Sequence, residues 1–180
     1  VSGGTAAANA GTLAFMVGCE EADFADIQAA LEPMSRITIR AGTAGAGQAA
    51  KICNNMLLGI SMAATCEAFA LAEKLGLDAQ NFFDIASVSS GQCWSLTTYC
   101  PVPGPVPTSP ANRNYEGGFA VAMMLKDLKL AQDAAAKSGA ATPLGAQAEA
   151  TYALFDQLGY GGKDFSSLVQ LLRGKLGELA

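Results

Sequence analysis

No histidine occurs in the 180 residues. That removes the commonest metal ligand and the commonest general base together, so proton chemistry falls to Lys, Asp or Glu. Charge is also scarce. Eleven Lys and Arg stand against 16 Asp and Glu, for a net charge of -5 and a pI near 4.6. The basic residues nowhere cluster, which excludes the electrostatic footprint of a nucleic-acid binder. The five cysteines, Cys19, Cys53, Cys66, Cys93 and Cys100, are odd in number and scattered, with no C-x-x-C. This argues against a disulfide scaffold and a zinc site and fits a reducing compartment. The longest apolar run, residues 56 to 66, falls short of the roughly 20 residues that span a bilayer, so no membrane helix is expected. The opening Val-Ser-Gly-Gly-Thr-Ala has neither an initiator Met, a basic stretch nor an apolar stretch, and it reads as a chain that starts in mid-fold rather than with a targeting signal.

What is abundant is apolar surface. Hydrophobic residues make up 51% of the chain, enough for a substantial core in one domain, or in a small domain with an attached piece. Residues 11 to 17 and 36 to 40 are short β-prone runs, and the spacing of Phe24, Ile27, Ala30 and Leu31 between them predicts a helix over 21 to 34. After Gly42 the pattern becomes helical to the C-terminus, with breaks at Gly76, Gly91, the Pro-rich 101 to 110, Gly139 and 159 to 162. Asp78 and Asp164 are placed as N-caps. A β/α piece of about 40 residues is too small to make an independent sheet. The fold expected is therefore mainly α: residues 1–41 end an α/β domain, and a long helix leads into an all-helical domain over 42–180.

Lys51 is the only charge between Arg40 and Glu67. On a helix Asn54 and Asn55 lie three and four residues from it and share its side, while Ile52, Met56, Gly59, Ile60 and Ala63 are expected to line the other. An amine partly removed from water has its charged form disfavoured, which suits a lysine that must exchange protons near neutral pH. Lys51 is thus a candidate general acid/base, against the simpler alternative of a snorkelling lysine at a helix start.

The stretch Gly45-Ala-Gly47-Gln-Ala-Ala50 follows a strand and opens a helix, with Glu67 and Glu73 some 20 residues on, and so satisfies the dinucleotide fingerprint formally. That fingerprint needs a second parallel strand, whereas residues 64 to 75 are continuous helix formers. Close backbone approach at the head of a long helix explains the glycines better.

Val1-Ser-Gly-Gly4 together with Gly45-x-Gly47-Gln48-x-x-Lys51-x-x-Asn54-Asn55 resembles the β-hydroxyacid dehydrogenase family. The likeness continues through Ser89-Ser-Gly-Gln-Cys-Trp94, Tyr99-Cys-Pro-Val-Pro-Gly104, Asn114-Tyr-Glu-Gly-Gly-Phe119, Lys126-Asp127-Leu128 and Lys163-Asp-Phe-Ser-Ser167, in order along nearly the whole chain. The resemblance implies a C-terminal portion of such an enzyme, lacking most of the Rossmann domain and its Gly-rich pyrophosphate turn, and inactive alone. It implies that residues 1–41 are the remnant of the NAD-binding domain and 42–180 the all-α substrate and dimerisation domain. It also implies roles: Ser2, Gly3 and Gly4 for the substrate carboxylate, Lys51 as catalytic acid/base, Asn55 orienting substrate, and Lys126 and Phe119 beside the NAD cofactor. The Cys93-Trp94 and 99 to 104 segments favour 3-hydroxyisobutyrate as substrate over glyoxylate or succinic semialdehyde. Association as a homodimer or homotetramer through the helical domain is implied as well, as is a mitochondrial matrix location in a eukaryote or a cytoplasmic one in a bacterium. A non-catalytic helical dimerisation module is the alternative from a different class.

Overall fold

A computed structural model describes residues 1–179. The chain is mainly helical, with a two-stranded sheet, and divides into two compact units, Val1–Asn55 and a second from Met56 onward.

In the first unit a short helix α1 (Gly4–Asn9) precedes strand β1 (Leu13–Gly18), helix α2 (Phe24–Leu31) and strand β2 (Ser35–Gly42). Pro33 lies in the tight turn that follows α2, where a ring without an N–H prevents the helix from continuing. The strands pair in parallel from Leu13 opposite Ser35 to Gly18 opposite Gly42, with a shift at each end. Helix α3 (Ala46–Lys74) begins here, and its opening turns, through Asn55, belong to this unit. Gly47 is buried against β1: a Cβ on it would lie 2.2 Å from the Met16 carbonyl oxygen. The head of α3 is thus packed backbone to backbone on β1, which is the close approach read from the sequence. Residues 64 to 74 remain helix, so no second strand completes the fingerprint.

In the second unit the rest of α3 is joined by α4 (Ala79–Ser87), α5 (Trp94–Thr97), α6 (Val121–Ser138), α7 (Pro143–Phe155) and α8 (Leu168–Arg173). Asp78 caps α4 by accepting from the Asn81 N–H at 3.0 Å. The core holds Met62, Phe69, Met124, Leu128, Tyr152, Phe155 and Leu168, each worth about 1.5–3 kcal/mol when fully removed from water. The irregular segment between α5 and α6 takes part in it: Pro101, Val102, Val106, Ala111 and Tyr115 are buried, and the Tyr115 hydroxyl donates to the Pro101 carbonyl at 2.8 Å.

The faces of α3 differ from the sequence reading. Asn55, Gly59, Met62, Cys66 and Phe69 form one buried stripe, because Gly59 stands one turn above Asn55. Ile52, Met56, Ile60 and Ala63 are only half-buried. The amide-bearing face is therefore the start of the core face, not its opposite. By length and composition α3 could also cross a bilayer, although the unbroken run 56 to 66 is short. A Cβ on Gly59 would meet Met124 and Leu128 of α6 within 3.0 Å, which is how a core helix packs.

Candidate functional site

Ser2 is pinned to β1 by a pair of backbone hydrogen bonds. Its N–H donates to the Ala14 carbonyl at 2.8 Å, and the Ala14 N–H donates back at 3.0 Å. Gly3 and Gly4 then take φ values of 130° and 63°, in the region that favours glycine, and open α1. A Cβ on Gly3 would meet that of Ala7 at 2.5 Å. The first N–H groups of a helix lack partners within it, so this segment presents donors suited to a carboxylate.

Lys51 is half-buried on α3, and Asn55, one turn on, is buried. Asn54, which is exposed, donates its side-chain N–H to the Asn55 amide oxygen at 3.1 Å, so the two asparagines act as a pair. β1 holds both pieces: Ser2 pairs with Ala14, and Gly47, one turn before Lys51, packs on Met16, so the Ser2 to Gly4 segment and the head of α3 lie against the same strand.

The second unit carries Phe119 and Lys126 on either side of the start of α6. Phe119 is half-buried. Its N–H donates to Asp164 at 2.8 Å, its carbonyl accepts from the Phe165 N–H at 2.8 Å, and its ring lies edge-on to Phe165 at 5.7 Å. The Lys126 ammonium sits 2.9 Å from the carboxylate of Asp127, with the lysine side chain 51% and the aspartate 8% exposed. Asp127, which tethers this amine, was not singled out by sequence reasoning, although its place beside Lys126 was the available signal. Asp164 was read only as a cap. Its carboxyl is buried and raised by that burial against the hydrogen bonds it accepts from Ser166, Phe119 and Tyr99. Burial and that same carboxylate also push the Tyr99 hydroxyl up.

Lys126 thus presents a half-exposed amine, and Phe119 an aromatic ring whose place is fixed by Asp164 and Phe165. At the head of α3 the end of β1 fills the space over Gly47, so no pyrophosphate can approach the backbone there. Among the described residues no cluster of His, Cys, Asp or Glu could hold a metal ion. Two shallow hollows, of about 310 Å³ beside Phe69 and Glu73 and about 540 Å³ between α2 and β2, take in none of the candidate residues.

Residues 45–172 match the family model described as the NAD-binding domain of NADP-dependent 3-hydroxyisobutyrate dehydrogenase, and residues 1–52 match that of the NAD binding domain of 6-phosphogluconate dehydrogenase. The chain belongs to the 3-hydroxyisobutyrate dehydrogenase family. It is similar to a probable 3-hydroxyisobutyrate dehydrogenase of Mycobacterium tuberculosis (52% identity over 97% of this chain and 59% of the relative). It is also similar to the mitochondrial 3-hydroxyisobutyrate dehydrogenase of Homo sapiens (49% identity over 96% of this chain and 52% of the relative). A solved structure of the Mycobacterium tuberculosis enzyme with L-serine superposes with a TM-score of 0.92 at 52% identity, covering 96% of this chain and 59% of that one. The chain thus spans between half and three fifths of the length of these family members.

Proposed function

We propose that the enzyme to which this chain contributes oxidises 3-hydroxyisobutyrate to methylmalonate semialdehyde with NAD, a step of valine catabolism. The observation that carries the reading is that β1 holds both the Ser2 to Gly4 segment, through Ala14, and the head of α3 that bears Lys51, through Met16. A 3-hydroxy acid offers a carboxylate and a hydroxyl a fixed distance apart. Ser2, Gly3 and Gly4 hold the carboxylate, Asn55 holds the hydroxyl oxygen, and the Lys51 amine takes the hydroxyl proton. Bound nicotinamide supplies the redox chemistry by accepting the hydride that leaves the same carbon. Lys126 and Phe119 are the residues of the second unit assigned to that cofactor. The relative solved with L-serine supports the substrate class, since serine keeps the 3-hydroxy carboxylate skeleton and differs by an amino group in place of a methyl.

The division into a Rossmann remnant over 1–41 and a substrate and association domain over 42–180, with α3 between them, belongs to the same proposal, as does a matrix location in a eukaryote or a cytoplasmic one in a bacterium. Self-association is supported by the outer face of α3. Leu57 and Leu71 are 62% and 60% exposed, and Leu75, just past the helix, is 70% exposed. With Ser61, Ala64 and Ala68 between them these positions follow alternating four- and three-residue steps, the spacing of a helix-pairing seam. Sedimentation that finds a monomer at every concentration removes that part.

The catalytic reading is tested by Lys51→Ala in the complete enzyme, assayed with NAD and 3-hydroxyisobutyrate. Turnover is expected to fall about 10²- to 10⁴-fold. A loss smaller than about threefold overturns the role of Lys51 as acid/base.

A further inference from the structure

Asp164 has two carboxylate oxygens engaged in different tasks. Oδ1 works locally, accepting from the Ser166 N–H at 3.0 Å and the Ser166 hydroxyl at 2.6 Å, as an N-cap does. Oδ2 works at long range, accepting from the Tyr99 hydroxyl and the Phe119 N–H, each at 2.8 Å. A cap needs one oxygen, and Ser or Asn would serve as well. The second oxygen is what only a carboxylate supplies here. It sits in a space closed on the near side, since a Cβ on Gly118 would fall 2.2 Å from Oδ2 and 2.6 Å from the Tyr99 oxygen. Around it runs an aromatic series. Trp94 stacks on Tyr99 at 4.9 Å, Tyr99 lies 5.4 Å from Phe165, and Phe165 meets Phe119 edge-on.

We infer that Asp164 is a positioning residue: by holding the Tyr99 hydroxyl and the Phe119 backbone on one oxygen, it fixes the aromatic wall that Phe119 contributes to the cofactor site. The inference rests on the reading of Phe119 given above and extends it to two residues, Asp164 and Tyr99, that act through it. Buried Asp164 is fully enclosed, with 0% of its surface exposed, so it touches neither substrate nor cofactor. Its effect is on where the wall stands.

Asp164→Asn separates the two tasks. The amide oxygen keeps the cap at Ser166 while the amide N–H₂ faces the Phe119 N–H, and two donors repel. In the purified complete enzyme the expected result is a shifted Phe119 amide proton resonance, altered Trp94 emission, and an NADH dissociation constant raised roughly tenfold. Turnover at saturating cofactor changes much less. Tyr99→Phe, which removes one hydroxyl and leaves the cap and the backbone bond, moves the dissociation constant in the same direction by a smaller factor and covers the case in which Asp164→Asn fails to fold. A folded Asp164→Asn with a lowered melting temperature and an NADH dissociation constant within twofold of the unaltered protein overturns the inference, since that is what a purely structural cap would do. If Asp164→Asn does not fold, an unchanged constant in Tyr99→Phe overturns it. Failure of the underlying reading looks different: a Phe119→Ala change in the complete enzyme then leaves the NADH dissociation constant unaltered, and the inference falls with it.

Discussion

The two compact units differ most in what they bury. From Met56 onward, Met62, Met124, Leu128, Tyr152, Phe155 and Leu168 are wholly removed from water. In Val1–Asn55 only Thr38, Gly47 and Asn55 are buried among the described side chains and glycines, every residue of β1 is half-exposed, and Ile37 and Ile39 of β2 are 43% and 52% exposed. A two-stranded sheet is marginal by itself. Yet Lys51, Asn55 and the Ser2 to Gly4 segment, which the proposed chemistry needs, all lie in this thinly covered unit. Stability and candidate chemistry are concentrated in different parts of one chain, and what fixes the second set is backbone contact with α3 more than a core.

The contrast breaks most readily at Phe155, wholly buried and stacked on Tyr160 at 5.1 Å. Phe155→Ala should cost about 3–5 kcal/mol in urea unfolding, whereas Ile37→Ala, on the exposed face of β2, should cost about 0.5 kcal/mol or less. Equal costs would mean that the first unit has a core after all. Gly47→Ala tests the backbone contact directly. With no flexible side chain to give way at Met16, overpacking should cost about 1–3 kcal/mol, and amide exchange should quicken in β1 and the first turns of α3 while α6 and α7 stay protected. Uniform quickening would show that the units open together.

The smallest effect is expected at Glu73, which pairs with Arg173 and, at 2.6 Å, with Lys175, tying α3 to the C-terminal segment. Hydrogen bonds from Arg173 and then Lys175 lower its carboxyl to about 2. A depressed folded value stabilises above the ordinary carboxylate range near 4.5 and is lost as pH falls toward 2. The pair is partly exposed and screened, so Glu73→Gln should cost about 1 kcal/mol or less at pH 7. The melting-temperature difference between the Glu73→Gln variant and unaltered protein should shrink as pH falls through that window. A difference independent of pH would remove the ion cluster as its source.

Local signals were legible where the cause is local. The β-branched runs gave both strands to within two residues, Gly76 follows the end of α3, and Asp78 and Asp164 cap where their side chains can reach the next turn. Helix α1 was missed: its Ala-rich residues favour helix, but it has only six, the first of them Gly4, and Gly3 and Gly4 both take positive φ, a combination that reads as loop. The face of α3 was misread because Asn55 was set with Lys51 on the side opposite Gly59, while its position one turn below Gly59 decides burial. Asp164 was legible as a cap and illegible as a tether, since Phe119 and Tyr99 stand 45 and 65 residues away in sequence. No spacing rule spans such a distance.

The Pro-rich segment between α5 and α6 supplies core side chains from Val102 to Tyr115, and this governs where the chain can be cut or lengthened. Ordinary connectors tolerate nicking and insertion because nothing depends on them. Here limited proteolysis should spare residues 101 to 115 and attack the exposed stretch 88 to 92 instead, and a peptide tag grafted at the latter should leave a soluble protein where one grafted at Val106 should not.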